Sequence, residues 1–143
     1  MKYLSIVLLS LYISGCSTSY HNINEDGVSL LGGGFIDDKI ADGVYRIVAK
    51  TNFAPWTNFS AANKTFDRRA KELCVGEFTK FLMVESEYDH APSMGEVGYV
   101  ISQVTGYAHC ENSTLTLEQA KDESTNWELI TNKGIRRINA RLL

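Results

Sequence analysis

The chain has 143 residues, 44% hydrophobic and 22% charged, an ordinary globular composition that excludes a disordered tail-type chain or a collagen-like repeat. Fourteen Lys and Arg stand against seventeen Asp and Glu, a formal net charge of -3, so there is no general drive to bind nucleic acid and no basic-domain footprint. Length allows one domain with an appendage, and two prolines and eleven glycines exclude a low-complexity chain. At the N-terminus, Lys2 supplies a short positive region and residues 3–13 form an apolar run of eleven, followed by the small residues Ser14 and Gly15. That is the form of a secretory signal peptide. It is too short for a retained membrane span, which needs about 20 apolar residues.

Ile13-Ser14-Gly15-Cys16 follows directly and resembles the lipobox of bacterial lipoproteins. The resemblance implies a diacylglycerol thioether on Cys16, cleavage before it and acylation of the new N-terminus. One acyl chain binds a membrane marginally, whereas two or more hold it stably. Ser17 rather than an aspartate after the cysteine implies, by analogy with enterobacterial sorting, the outer membrane. The expected organisation is a signal peptide over 1–15, a polar lipidated tether over 16–26, an α+β domain over 27–113, and a C-terminal helix with a basic tail over 114–143. The mature 128 residues are enough for a single core.

Three cysteines leave Cys74 and Cys110 as a pair once Cys16 is assigned to lipid, and the periplasm permits disulfides. A bond between them closes a loop of 36 residues, worth about 3–4 kcal/mol in the chain-entropy model. Two buried free thiols are the alternative. A zinc site is poorly supported, since no C-x-x-C is present and His109 beside Cys110 is not ligand spacing for one metal.

In chain order, residues 28–36 are apolar and glycine-rich and read as a first strand. Residues 37–43 are polar and end in the turn signal Asp42-Gly43, giving a hairpin loop longer than two residues. Residues 44–51 alternate, with Tyr45, Ile47 and Ala49 on one face and Arg46 and Lys50 on the other, a half-buried strand. A loop around Pro55 and Trp56 leads to a helix over 60–75, with Ser60 as N-cap and Gly76 as C′ residue. Ala62, Phe66, Ala70 and Leu73 share its buried face, which Cys74 borders.

Residues 79–88 are more continuously apolar and are expected to form a central strand. After a loop with Pro92, residues 97–110 form a long strand on which Val100, Val104, Ala108 and Cys110 share one parity. If that side meets the helix, Cys74 and Cys110 meet across the core. Thr116-Leu-Glu-Gln119 matches a capping box and opens a short polar helix through about Thr125. The expected fold is α+β: a mainly antiparallel sheet of about four strands, one main helix on one face, a short helix and a C-terminal tail.

That tail is electrostatically distinct. Residues 129–143 carry Lys133, Arg136, Arg137 and Arg141 and no acid, a charge of +4, whereas residues 16–128 carry -8. Those four residues, beside Ile135, Ile138 and Leu142, are a candidate contact for an anionic surface; the alternative is an edge strand or helix with solvated charges.

Gly33-Gly34-Phe35, Tyr45-Arg46-Ile47, Asn52, Thr57 and Arg69-Ala70-Lys71-Glu72-Leu73-Cys74, with Phe81 beyond, resemble a family of small uncharacterised bacterial outer-membrane lipoproteins. The pattern spans residues 30–88. It carries no established activity, so the resemblance implies localisation and fold.

The remaining motifs are weak. Gly32-Gly33-Gly34 lacks the Gly-Lys-Ser/Thr of a phosphate loop and reads as a bulge or close backbone approach. Asp37, Asp38 and Asp42 lack EF-hand spacing and read as a solvated turn. His21, His90 and His109 fall in a tether, a loop and a strand end, and Ser93 lacks the first glycine of a nucleophile elbow. Cys110 beside His109 is a candidate thiol nucleophile unless paired with Cys74, and Glu72 is a candidate base with Arg68 and Arg69 as helical partners. The sequons at Asn58, Asn63 and Asn112 read as chance in a chain with a bacterial lipobox. The sequence names no cofactor and no metal. It favours a non-catalytic structural, assembly or stress-sensing domain that binds an envelope protein or cell-wall partner. The alternative is a small envelope hydrolase using His90 or His109 with a carboxylate.

Overall fold

A computed structural model describes the backbone of residues 20–90 and 98–139 and the side chains of 20–88 and 98–132. Its elements in chain order are α1 (Ile23–Asp26), β1 (Gly32–Ala41), β2 (Val44–Asn52), α2 (Phe59–Cys74), β3 (Phe78–His90), β4 (Tyr99–Cys110) and α3 (Leu117–Asn139). The strands form one antiparallel sheet in the order β1-β2-β4-β3. The α+β class with a four-stranded antiparallel sheet is as expected.

The alternation in β2 sets the two faces. Ile47 and Ala49 pack with Val104 and Ala108 of β4 against Ala62, Phe66 and Ala70 of α2. The opposite parity, Val44 on β2 and Tyr107 on β4, joins Phe81 and Ala120 in a second cluster beneath α3. The sheet is therefore covered on both faces, not on one. Helix α2 begins one residue early because Asn58, not Ser60, caps it: its Oδ1 accepts from the amide of Ala61 at 3.0 Å. It ends on Val75 in the left-handed region, ahead of Gly76.

Four further expectations need correction. The first hairpin is tight: Ala41 pairs with Val44, so Asp42-Gly43 is a two-residue turn with Gly43 at φ 65°. Residues 37–39 thus belong to β1. Their charges suit a strand because its two faces partner them separately: Asp37 meets Arg69 of α2 and Asp38 meets Arg46 across the sheet. Next, β3 is an edge strand. Its apolar run reflects a bulge between Phe81 and Val84, with Leu82 at φ 48°, and not burial on both faces. The extra residue sends Phe81 to the α3 side and Met83 to the α2 side.

The third correction concerns the C-terminal helix, which runs for 23 residues and does not stop near Thr125. The capping box forms, with Thr116 N donating to Gln119 Oε1 at 2.9 Å and Gln119 N to Thr116 Oγ1 at 3.3 Å. Ser124 and Thr125 satisfy their hydroxyls on carbonyls one turn back, and Trp127 and Glu128 then find partners on the sheet. Finally, residues 20–26 are not a loose tether. They contain α1 and a parallel bridge from Asn22 to Phe35.

Cys74 at the end of α2 and Cys110 at the end of β4 form a disulfide, with Cα atoms 5.2 Å apart. Both residues are buried. The parity of β4 and the helical face of α2 bring them together as the sequence suggested. Replacing both with serine is expected to cost about 3–4 kcal/mol in urea unfolding, because the bond closes 36 residues. In the unfolded, unreduced and unlipidated chain, only Cys16 should react with a thiol reagent.

Candidate functional site

Two polar assemblies flank the sheet, one on each face. On the α2 side, the odd positions of β1 point toward the helix, and residues 20–22 lie along the strand's outer edge. The amide of Phe35 donates to the carbonyl of His21 at 2.9 Å. A Cβ at Gly34, whose φ is +97°, would stand 2.8 Å from the His21 ring, so this edge accepts the segment only because residue 34 is glycine. The Gly32-Gly33-Gly34 stretch thus serves a close backbone approach.

Tyr20, half-buried, then docks against α2 and β1. Its ring lies 4.8 Å from that of Phe35, the Arg68 guanidinium sits 3.6 Å from its centroid, and its hydroxyl donates to Glu72 Oε2. Arg69 holds Asp37 through two hydrogen bonds, at 2.9 and 3.3 Å, and stacks 4.7 Å from the centroid of Phe35. Arg68 and Arg69 both donate to Glu72, at 3.1 and 3.3 Å. Burial and then the Glu72 hydrogen bond push the Tyr20 hydroxyl well above the usual phenol range. Burial alone would raise Glu72, but hydrogen bonds from Tyr20, Arg68 and Arg69 outweigh it and hold the carboxyl below its ordinary value. Burial alone would likewise lower Arg69, but its bonds to Asp37 and Glu72 outweigh it and raise the guanidinium above its ordinary value.

On the other face, a cleft of about 540 Å³ opens between the sheet and α3, lined by Asp38, Arg46, Trp127, Glu128, Thr131 and Asn132. Arg46 projects from β2 opposite Asp38, 3.5 Å from its carboxylate, and lies 5.4 Å from the Trp127 ring centroid. Tyr107 donates to Glu128 at 2.7 Å, and burial followed by that bond raises its hydroxyl above the usual range. The cleft therefore offers a planar cation, a planar aromatic and two carboxylates, each already oriented by a neighbour. Such an arrangement can hydrogen-bond and stack with a polar group.

The remaining expected site residues are spread over the molecule. Cys16 and Arg141 lie outside the described residues, as does Ser93. Lys133, Arg136 and Arg137 fall on the last turns of α3, at helical spacing i, i+3 and i+4. Asp37, Asp38 and Asp42 do not converge: they pair with Arg69, Arg46 and Lys39 respectively. Among the described residues, no group of three His, Cys, Asp or Glu is placed to hold a metal ion. Cys110 is consumed by the disulfide, and His109 Nε2 is 2.8 Å from the carbonyl of Leu115. Glu72 is engaged by Arg68 and Arg69 as helix spacing implied, but Tyr20 was hidden in a stretch read as tether. Trp127 and Glu128 were likewise hidden in a stretch read as tail.

Comparison of the chain with protein-family models, with curated proteins and with solved structures finds no match.

The docked N-terminal segment makes a pH-dependent contribution to stability. Glu72 is depressed in the folded state, so its contribution is present above the ordinary glutamate range and is lost as pH falls through the folded value. Glu72→Gln should flatten that acid-side loss in urea titrations. Tyr20→Phe, which keeps the ring contact and removes only the hydroxyl, should cost about 1 kcal/mol at neutral pH.

Proposed function

We propose that this chain is a bacterial envelope lipoprotein, anchored through Cys16 in the outer membrane and facing the periplasm, whose domain works non-catalytically by binding an envelope protein or cell-wall partner. The observation that carries this reading is the Cys74–Cys110 disulfide. A disulfide between two buried element ends fits an oxidising compartment. It also leaves Cys16, at the end of a signal-peptide-like run, as the one cysteine of three still to be assigned. The resemblance to small bacterial lipoproteins is in keeping with both points. Binding fits the cleft better than hydrolysis, since Arg46 and Glu128 are held by Asp38, Trp127 and Tyr107 in fixed poses suited to polar recognition.

Radiolabelled palmitate should enter the wild-type protein in its bacterial host and not Cys16→Ser. Equal labelling of the two would sink the assignment.

The C-terminal residues Lys133, Arg136, Arg137 and Arg141 extend the same reading as a contact for an anionic surface. Headgroups of that charge attract each nearby Lys or Arg by about 1 kcal/mol. A non-lipidated chain should bind anionic vesicles or peptidoglycan at low salt and release them as salt rises. Reversal of Arg136, Arg137 and Arg141 to Glu should abolish that binding. Failure of the unmutated chain to bind at low salt would remove the tail from the interaction.

A further inference from the structure

One end of the domain is unusually apolar for a surface. Val28, Leu30 and Leu31, in the stretch that leads into β1, are 82%, 96% and 65% exposed, and Trp56 is 66% exposed. The two loops that carry them are tied together, since the amide of Phe53 donates to the carbonyl of Leu31 at 2.9 Å. A shallow pocket of about 300 Å³ runs beneath Trp56 along Phe53, Ala54 and Pro55. Clustered exposed apolar groups of this kind mark an interaction surface.

We propose that this end seats the domain on the lipid bilayer, with Leu30, Leu31, Val28 and Trp56 entering the interfacial layer. The proposal rests on the reading of Cys16 as the lipid anchor. The length of the tether carries it. Residues 20–22 are clamped to β1 and α2 by the Tyr20–Glu72 hydrogen bond, the Tyr20–Phe35 ring contact and the Asn22–Phe35 bridge. Only residues 16–19 remain between lipid and body. Even fully extended, the chain from Cys16 to Tyr20 spans at most about 14 Å, so the body cannot stand away from the membrane.

The position of the anchor selects which surface comes down. Asn22 bridges to Phe35, and Leu31 lies four residues before Phe35, about 13 Å along an extended chain. The anchored segment thus lies beside the opening half of β1, and Val28, Leu30 and Leu31 lead directly into that strand. An exposed tryptophan and two exposed leucines on loops joined by a hydrogen bond suit the boundary between headgroups and acyl chains. Glu25 and Asp26 stand exposed beside the same stretch, so the contact is apolar and does not depend on anionic headgroups.

The test uses the lipidated mature chain carrying Trp127→Phe, so that Trp56 is the single tryptophan. The protein is reconstituted into phosphatidylcholine vesicles with and without bromine on the acyl chains. Trp56 emission should drop strongly in the brominated vesicles. Adding Leu30→Asp and Leu31→Asp should restore the emission, while palmitate label and co-sedimentation with vesicles are retained. Both leucines face water, so the variant should keep its disulfide and circular dichroism. Palmitate label with Trp56 emission insensitive to bromine overturns the seating and leaves the anchor standing. Absence of label from the wild type overturns the anchor and the seating with it.

Discussion

The central strands β2 and β4 are buried on both faces, and that constraint organises the rest of the molecule. Ile47, Ala49, Val104 and Ala108 require a cover on one side, and Val44 and Tyr107 require one on the other. Helix α2 meets the first demand with small residues: Ala62 and Ala70 flank Phe66, so the helix can approach the alanines of the sheet closely. Helix α3 meets the second through Ala120 and then runs on past Trp127. Two covers on one small sheet give the chain two hydrophobic clusters, one on each face, without a second sheet.

The two polar assemblies follow from the same alternation. On β1, Asp37 and Asp38 are adjacent in sequence and face opposite layers, one toward Arg69 and the other toward Arg46. Each carboxylate aligns an arginine that also lies against an aromatic ring, Phe35 on one face and Trp127 on the other. One pair ties β1 to α2 beside the docked N-terminal segment, and the other forms a wall of the cleft. The disulfide lies at this same end of α2, so the helix is held at its C-terminus covalently and, just before it, by the Arg68–Arg69–Glu72 group.

Much of this was legible in the residues. The parity of β2, the apolar face of α2, the capping box at Thr116 and the meeting of Cys74 with Cys110 all follow from local period and residue chemistry. What escaped depended on partners distant in sequence. Asp37 and Asp38 look like loop residues until Arg69 and Arg46 are opposite them. Tyr20 looks like tether until Phe35 and Glu72 receive it. The 126–139 stretch shows little helical signal until the Tyr107–Glu128 bond and the Arg46–Trp127 contact hold it on the sheet. The bulge in β3 was invisible for another reason: one inserted residue converts an alternating strand into an apparently continuous apolar run.

That bulge also governs how the sheet ends. Strand β3 is 13 residues long, lies at the margin of the sheet and displays Leu82, Val84 and Tyr88 to solvent. A straight strand of that length and composition would be a template on which another chain's strand could pair. The left-handed backbone at Leu82 interrupts the row of outward N–H and C=O groups near the strand's midpoint, leaving two short edges in place of one long one. The same irregularity that hides the strand's position from its sequence therefore limits runaway sheet growth between neighbouring copies.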